Sequence, residues 1–259
     1  MTSSRSLALY GQGLPAGLVV PNEYWSLLDE YNLEELGRWQ FEAQERLAWM
    51  YRGLKQQYPE RVYVPFATRV DQDEVACWTL PSPKIVQIHD YTDPGWERPR
   101  YYADFRSFMR SVVDDIFDTW LDIGSGSSTF PMEDVTIEPD LLYASGDLPL
   151  GFVVPDAYIA FDDLEMASVG QWTLEPRVRL REIFRDLRSV NPGRWLMPFA
   201  WRSGGDNAVC WTYPNVGVEE VAGIKTGEVA TVSWYPDERA WMHKVVEEML
   251  DSRPKGDGR

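Results

Sequence analysis

The sequence predicts an α+β protein made of two tandem copies of one small domain, and three observations carry that expectation. The first is an internal repeat: VPFATRVDQDEVACWTLP, from Val64 to Pro81, lies over MPFAWRSGGDNAVCWTYP, from Met197 to Pro214, so that Pro65 falls on Pro198, a shift of 133 residues. Pro65, Phe66, Ala67, Arg69, Asp73, Cys77, Trp78, Thr79 and Pro81 recur at that shift, where unrelated segments would share about one residue by chance. The second is a helical stripe present twice, Leu47, Met50, Tyr51 and Leu54 in one half and Leu180, Ile183, Phe184 and Leu187 in the other. The third is a set of short runs rich in β-branched and aromatic residues, bounded by turn-forming residues.

Taken in order, each copy reads as helix, loop, helix, strands, helix. GLVVPNEYWSLLDE from Gly17 matches GFVVPDAYIAFDDL from Gly151, and its proline before an apolar stripe marks a helix start. The two striped helices follow Gly37-x-Trp39 and Gly170-x-Trp172 and are closed by Pro59 and Pro192. Burying either stripe is worth roughly 6–12 kcal/mol as an upper bound, before chain entropy is subtracted. Strands are predicted over 61–68, 74–80 and 84–90 in the first copy and over 194–201, 207–213 and 229–235 in the second. Strand alternation places Val75 and Cys77 on one face and Ala76 and Trp78 on the other, which makes Cys77 a small core residue. YADFRSFMRSVVDDI from Tyr102 matches YPDERAWMHKVVEEM from Tyr235, an amphipathic helix that closes each copy. The expected division is residues 1–125 for the first copy, 126–150 for a linker, 151–252 for the second copy and 253–259 for a disordered tail. The glycine- and serine-rich stretch at Gly124–Ser128 motivates the linker, with a short strand expected near Val135–Ile137.

Composition then narrows the function. The formal charge of −16 argues against nucleic acid and for a basic partner, because phosphate contact needs clustered lysine and arginine. Twelve tryptophans must fill cores or form recognition surfaces, since indole joins a large apolar area to one donor. No apolar run is long enough to cross a bilayer and no signal-peptide core is apparent, which predicts a cytoplasmic protein. The two cysteines, Cys77 and Cys210, occupy one repeated position and are expected as reduced thiols.

The run PFATRVDQDEVACW followed by IVQIHDYTDPGWE, from Pro65 to Glu97, resembles the SUKH superfamily, which includes bacterial toxin-immunity proteins and a fungal regulator of cell-wall synthesis. The resemblance covers about 115 residues of the first copy and, through the repeat, most of the second. It implies a mostly antiparallel sheet with flanking helices in each copy, used to bind another protein, with no cofactor. The second copy departs from the pattern, with Ala222, Gly223, Gly227 and Val229 where the first has His89, Asp90, Pro94 and Trp96.

Candidate sites have a functional and a plainer reading. His89 beside Asp90, a strand away from Cys77, suggests a thiol hydrolase, but Cys77 is mid-strand and the second copy keeps Cys210 without a matching histidine. A core cysteine and a hydrogen-bonded strand-end histidine is the plainer reading, and His243 is expected on the surface of a terminal helix. Asp71, Asp73 and Glu74 form an acidic turn suited either to a divalent cation or to an exposed hairpin loop. Gly124-x-Gly126 follows no strand and opens no helix, which leaves little for a nucleotide. Asp90, Tyr91, Asp93, Trp96 and Glu97 sit around a Pro-Gly turn, the make-up of a recognition loop, unless Trp96 folds back over the core. The expectation is therefore an immunity protein, not an enzyme, without cofactor or metal, that neutralises a cognate toxin with a basic surface through Asp71, Asp73, Glu74, Asp90, Tyr91, Asp93, Trp96 and Glu97. The alternatives are a regulatory adaptor in a housekeeping complex and, behind it, a small-molecule-binding protein or hydrolase.

Overall fold

A computed structural model describes residues 20–41, 44–80, 84–89, 94–96, 98–124, 148–155, 164–174, 177–214 and 217–252, together with Pro15, Leu18, Tyr158 and Phe161. Each copy of the repeat contributes one six-stranded sheet in which every neighbouring pair of strands is antiparallel. In the first copy, helix α1 (Asn22–Asp29) leads into a small hairpin, β1 (Glu35–Leu36) and β2 (Trp39–Gln40), and then into α2 (Gln44–Gln57). Strands β3 (Tyr63–Arg69), β4 (Glu74–Thr79), β5 (Ile85–His89) and β6 (Arg100–Tyr102) follow, and α3 (Phe105–Gly124) closes the copy. The second copy repeats the plan with β7 (Ser168–Val169), β8 (Trp172–Thr173), α4 (Arg177–Val190), β9 (Trp195–Arg202), β10 (Asn207–Tyr213), β11 (Val218–Ala222), β12 (Ala230–Tyr235) and α5 (Glu238–Asp251). Its first helix is represented by Tyr158 and Phe161, both helical.

Two sequence expectations are corrected. The loop between the first two helices contains a hairpin of two-residue strands, which is too short to leave a pattern of alternation. The third strand after α4 is β11, at Val218–Ala222, and the segment expected in that role is the strand that follows it, β12. The expected strand near Val135–Ile137, most of the linker and the tail beyond Ser252 lie outside the described residues, as do Ser125–Ser128.

The repeat is visible in packing geometry as well as in element order. Phe66 stacks on Trp78 with ring centroids 4.4 Å apart and an interplanar angle of 27°, and Phe199 stacks on Trp211 at 4.7 Å and 27°. Phe108 meets Phe66 edge-on at 5.2 Å, as Trp241 meets Phe199 at 5.2 Å. Tyr24 meets Trp78 at 5.0 Å, and Tyr158 meets Trp211 at 5.3 Å. These aromatic groups cover one face of each sheet. The opposite face is capped by the striped helix: Met50, Leu54, Val75, Cys77, Val86 and Ile88 cluster in the first copy, and Ile183, Leu187, Ala208, Cys210 and Val221 in the second. Both cysteines are fully buried free thiols, and burial pushes the Cys210 thiol well above its ordinary value.

A β-bulge places the stacked phenylalanines. The register passes from Pro65 opposite Cys77 to Ala67 opposite Ala76, so Phe66 is an extra residue on β3; Phe199 is skipped in the same way on β9. The prolines beside these bulges, Pro65 and Pro198, lack an N–H, and a bulge is where a strand tolerates that loss.

The chain divides into two compact units, residues 1–112 with 246–259, and residues 113–245. In the first, Arg106 of α3 pairs with Glu247 (2.6 Å) and Asp251 (2.6 Å) of the last turns of α5. In the second, His243 Nε2 lies 3.0 Å from Asp114 and Arg239 pairs with Asp118. His243 is thus partly covered by an ion-pair cluster.

Candidate functional site

The turn between β3 and β4 brings the three acidic residues expected as a site to one place, and a polar chain through the sheet fixes two of them. Tyr102 on β6 donates its hydroxyl to Gln87 Oε1 (2.6 Å), and the Gln87 amide donates to Glu74 Oε2 (2.8 Å). Arg69 reaches Glu74 with NH1 (3.4 Å) and Asp71 with Nε (2.9 Å), while Arg38 holds the other oxygen of Asp71 at 2.5 Å. Burial raises the Asp71 carboxyl, but the hydrogen bonds and charges of Arg38 and Arg69 outweigh it and hold the group below the usual carboxylate range. Asp71 and Glu74 are thus each paired with an arginine, whereas Asp73 is exposed at the tip and carries no ion pair among the described residues.

A groove of about 380 Å³ opens between this turn and α2. Met50, Thr68 and Val75 lie along it, Arg46 and Trp49 bound it on the helix, and Val70, Asp71, Gln72 and Asp73 bound it on the turn. Trp49 is 65% exposed and Val70 is 59% exposed. The Trp49 indole and the Val70 side chain are thus both left in water at the rim of the groove.

The second copy shows what the groove lacks. Trp201 stands at the position of Thr68, opposite Ala208 as Thr68 is opposite Val75, and it packs on the cluster that contains Ile183 and Ala208. The guanidinium of Arg179, at the position of Arg46, lies 5.8 Å from the Trp201 ring centroid. The place of Trp49 is held by Glu182, which pairs with Arg179 at 2.8 Å. The polar chain has changed as well. Asn207 donates to Glu220 Oε1 (2.9 Å), so the amide and the carboxylate have exchanged strands relative to Gln87 and Glu74. Arg202 donates to the neutral Gln171 in place of a carboxylate.

Of the recognition loop between β5 and β6, Pro94, Gly95 and Trp96 are described. Trp96 is 71% exposed and does not fold back over the core. Asp90, Tyr91, Asp93 and Glu97 lie outside the described residues. His89 faces Glu74, with Nε2 3.6 Å from Oε1, at the end of β5, while the register sets Cys77 opposite Val86. Among the described residues, no group of three histidine, cysteine, aspartate or glutamate side chains is placed to hold a metal ion, and arginines already occupy Asp71 and Glu74. No helix among them is long and apolar enough to cross a membrane.

Residue-level reading of the sequence overlooked Trp49, Val70, Thr68 and Arg38. The signal for Trp49 was present: it lies off the apolar stripe of α2, and its counterpart in the repeat is a glutamate. No protein-family model, curated protein or solved structure matches the chain.

Proposed function

We propose that the chain is a cytoplasmic immunity protein that binds and neutralises a cognate bacterial toxin, and that the first copy carries the recognition surface. The observation that carries this reading is the pair of exposed indoles, Trp49 and Trp96, on a copy whose acidic turn is tied together by the Arg38–Asp71–Arg69–Glu74 ion pairs. Exposed aromatic anchors flanked by charge are the usual make-up of a binding hot spot, and a preordered turn lowers the entropy lost on binding. The excess of 41 acidic over 25 basic side chains favours a toxin with a basic surface, because opposite charge speeds encounter and disfavours wrong partners.

The test is co-expression with the candidate toxin encoded beside the gene, scored by host growth and by recovery of a complex. Rescue together with a complex is expected; no rescue and no complex would sink the proposal. Within a complex, Trp96→Ala or Asp93→Lys should weaken binding by more than about 2 kcal/mol. Wild-type affinity in both variants would remove the β5–β6 loop from the interface.

A further inference from the structure

We infer that the groove between α2 and the β3–β4 turn is a receptor for one aromatic side chain of a protein segment that carries lysine or arginine beside it, seated where Trp201 sits in the second copy. The inference rests on the reading of the first copy as a protein-binding surface and names what that surface takes.

The second copy acts as an internal template. Met50, Val75 and Arg46 line the groove at the positions of Ile183, Ala208 and Arg179, the residues around Trp201. The residue that would fill the space differs most in size, since β3 offers the short side chain of Thr68 where β9 offers an indole. A ring entering the groove meets Met50, Thr68 and Val75 below, with the Arg46 position and the exposed Trp49 along the helix wall. The rim supplies the charge preference. Asp73 is exposed and carries no ion pair among the described residues, whereas Asp71 and Glu74 are paired with arginines, so a cation beside the ring has the Asp73 carboxylate to meet.

The test uses the whole protein, isotope-labelled, titrated with the peptide acetyl-Lys-Trp-Lys-amide and followed by two-dimensional NMR. Saturable shifts are expected at the Trp49 indole and at the amides of residues 68–75. The peptides acetyl-Lys-Ala-Lys-amide and acetyl-Glu-Trp-Glu-amide should each bind at least about tenfold more weakly, a factor that matches one lost anchor or a reversed charge. Thr68→Trp, which supplies the missing indole from within, should abolish the shifts. Trp49→Ala changes only an exposed side chain and should weaken binding about tenfold, which covers the case in which Thr68→Trp does not fold. Equal binding of the alanine peptide, shifts that map away from the groove, or undiminished binding in a folded Thr68→Trp variant would overturn the inference. Toxin neutralisation without peptide binding would defeat this inference alone, and peptide binding without neutralisation would defeat the toxin reading alone.

Discussion

The two copies agree where side chains hold the fold and disagree where the first copy meets solvent. Phe66 on Trp78 and Phe199 on Trp211 are stacked at the same interplanar angle of 27°. Asp104 accepts a backbone N–H from Ser107 (2.7 Å) at the start of α3, and Asp237 accepts one from Ala240 (2.7 Å) at the start of α5. At the groove, by contrast, threonine faces tryptophan, exposed tryptophan faces glutamate, and a chain of charges faces a neutral glutamine bond. A duplicated fold must keep its packing in both copies, because a cavity or an unmet donor costs stability wherever it arises. A surface used for recognition is under no such constraint. The positions at which two copies part company, once the core is accounted for, are therefore the positions to test for function.

The largest expected effect sharpens the shared part. Phe66→Ala and Phe199→Ala should each cost about 3–5 kcal/mol in chemical denaturation, as a buried aromatic removed from a stack does. A large cost in one and little in the other would break the equivalence of the copies.

A smaller effect separates them. Trp201→Ala should destabilise by about 2–4 kcal/mol because its indole covers the core cluster of the second copy, whereas Thr68→Ala should cost less than about 1 kcal/mol. Similar costs would mean that position 68 does not play the open counterpart of position 201.

Next come the caps. Asp104→Ala and Asp237→Ala should each lower stability by about 1 kcal/mol, the usual worth of an aspartate at a helix N-terminus. The Asp104 carboxyl is held below its ordinary range chiefly by the hydrogen bonds from Ser107, so its contribution is present at neutral pH and lost as pH falls through its depressed folded value.

The smallest effect is a pH dependence confined to the second copy. Glu238 stands where the first copy has Phe105; burial raises its carboxyl above the ordinary 4.5, against the hydrogen bond it accepts from Trp211 Nε1 (2.5 Å). A raised carboxyl binds its proton more tightly in the folded state, so stability should decline as pH rises from about 4.5 through the folded value. Glu238→Gln should flatten that decline in denaturation curves collected across the window, and Phe105→Leu should leave it unchanged. An unaltered slope in Glu238→Gln would assign the pH dependence to other groups.

Much of the fold can be read from the sequence because helices and the central strands carry long, regular patterns. The Leu180, Ile183, Phe184 and Leu187 stripe is buried along its length, and Cys77 and Cys210 lie in matching core clusters. Strand β11 is harder to read because Glu219 and Glu220 interrupt its apolar run; only the folded chain shows that Arg194 and Asn207 meet those carboxylates. The hairpins β1–β2 and β7–β8 are too short for any period, and the bulge at Phe66 shifts the alternation that would have placed it. The acidic half of the candidate site was legible as a turn. The groove was not, because it is defined by a side chain that is small in one copy and large in the other, at a position where neither threonine nor tryptophan is unusual in a strand.

The most direct test of a first copy specialised for recognition uses two exposed positions that the repeat makes equivalent, Trp49 and Glu182. Affinity for the cognate toxin, measured by calorimetry, should fall by at least about tenfold in Trp49→Ala, the loss expected of a hot-spot anchor, and stay at the wild-type value in Glu182→Ala. Equal affinities in the two variants, or a loss confined to Glu182→Ala, would contradict the account.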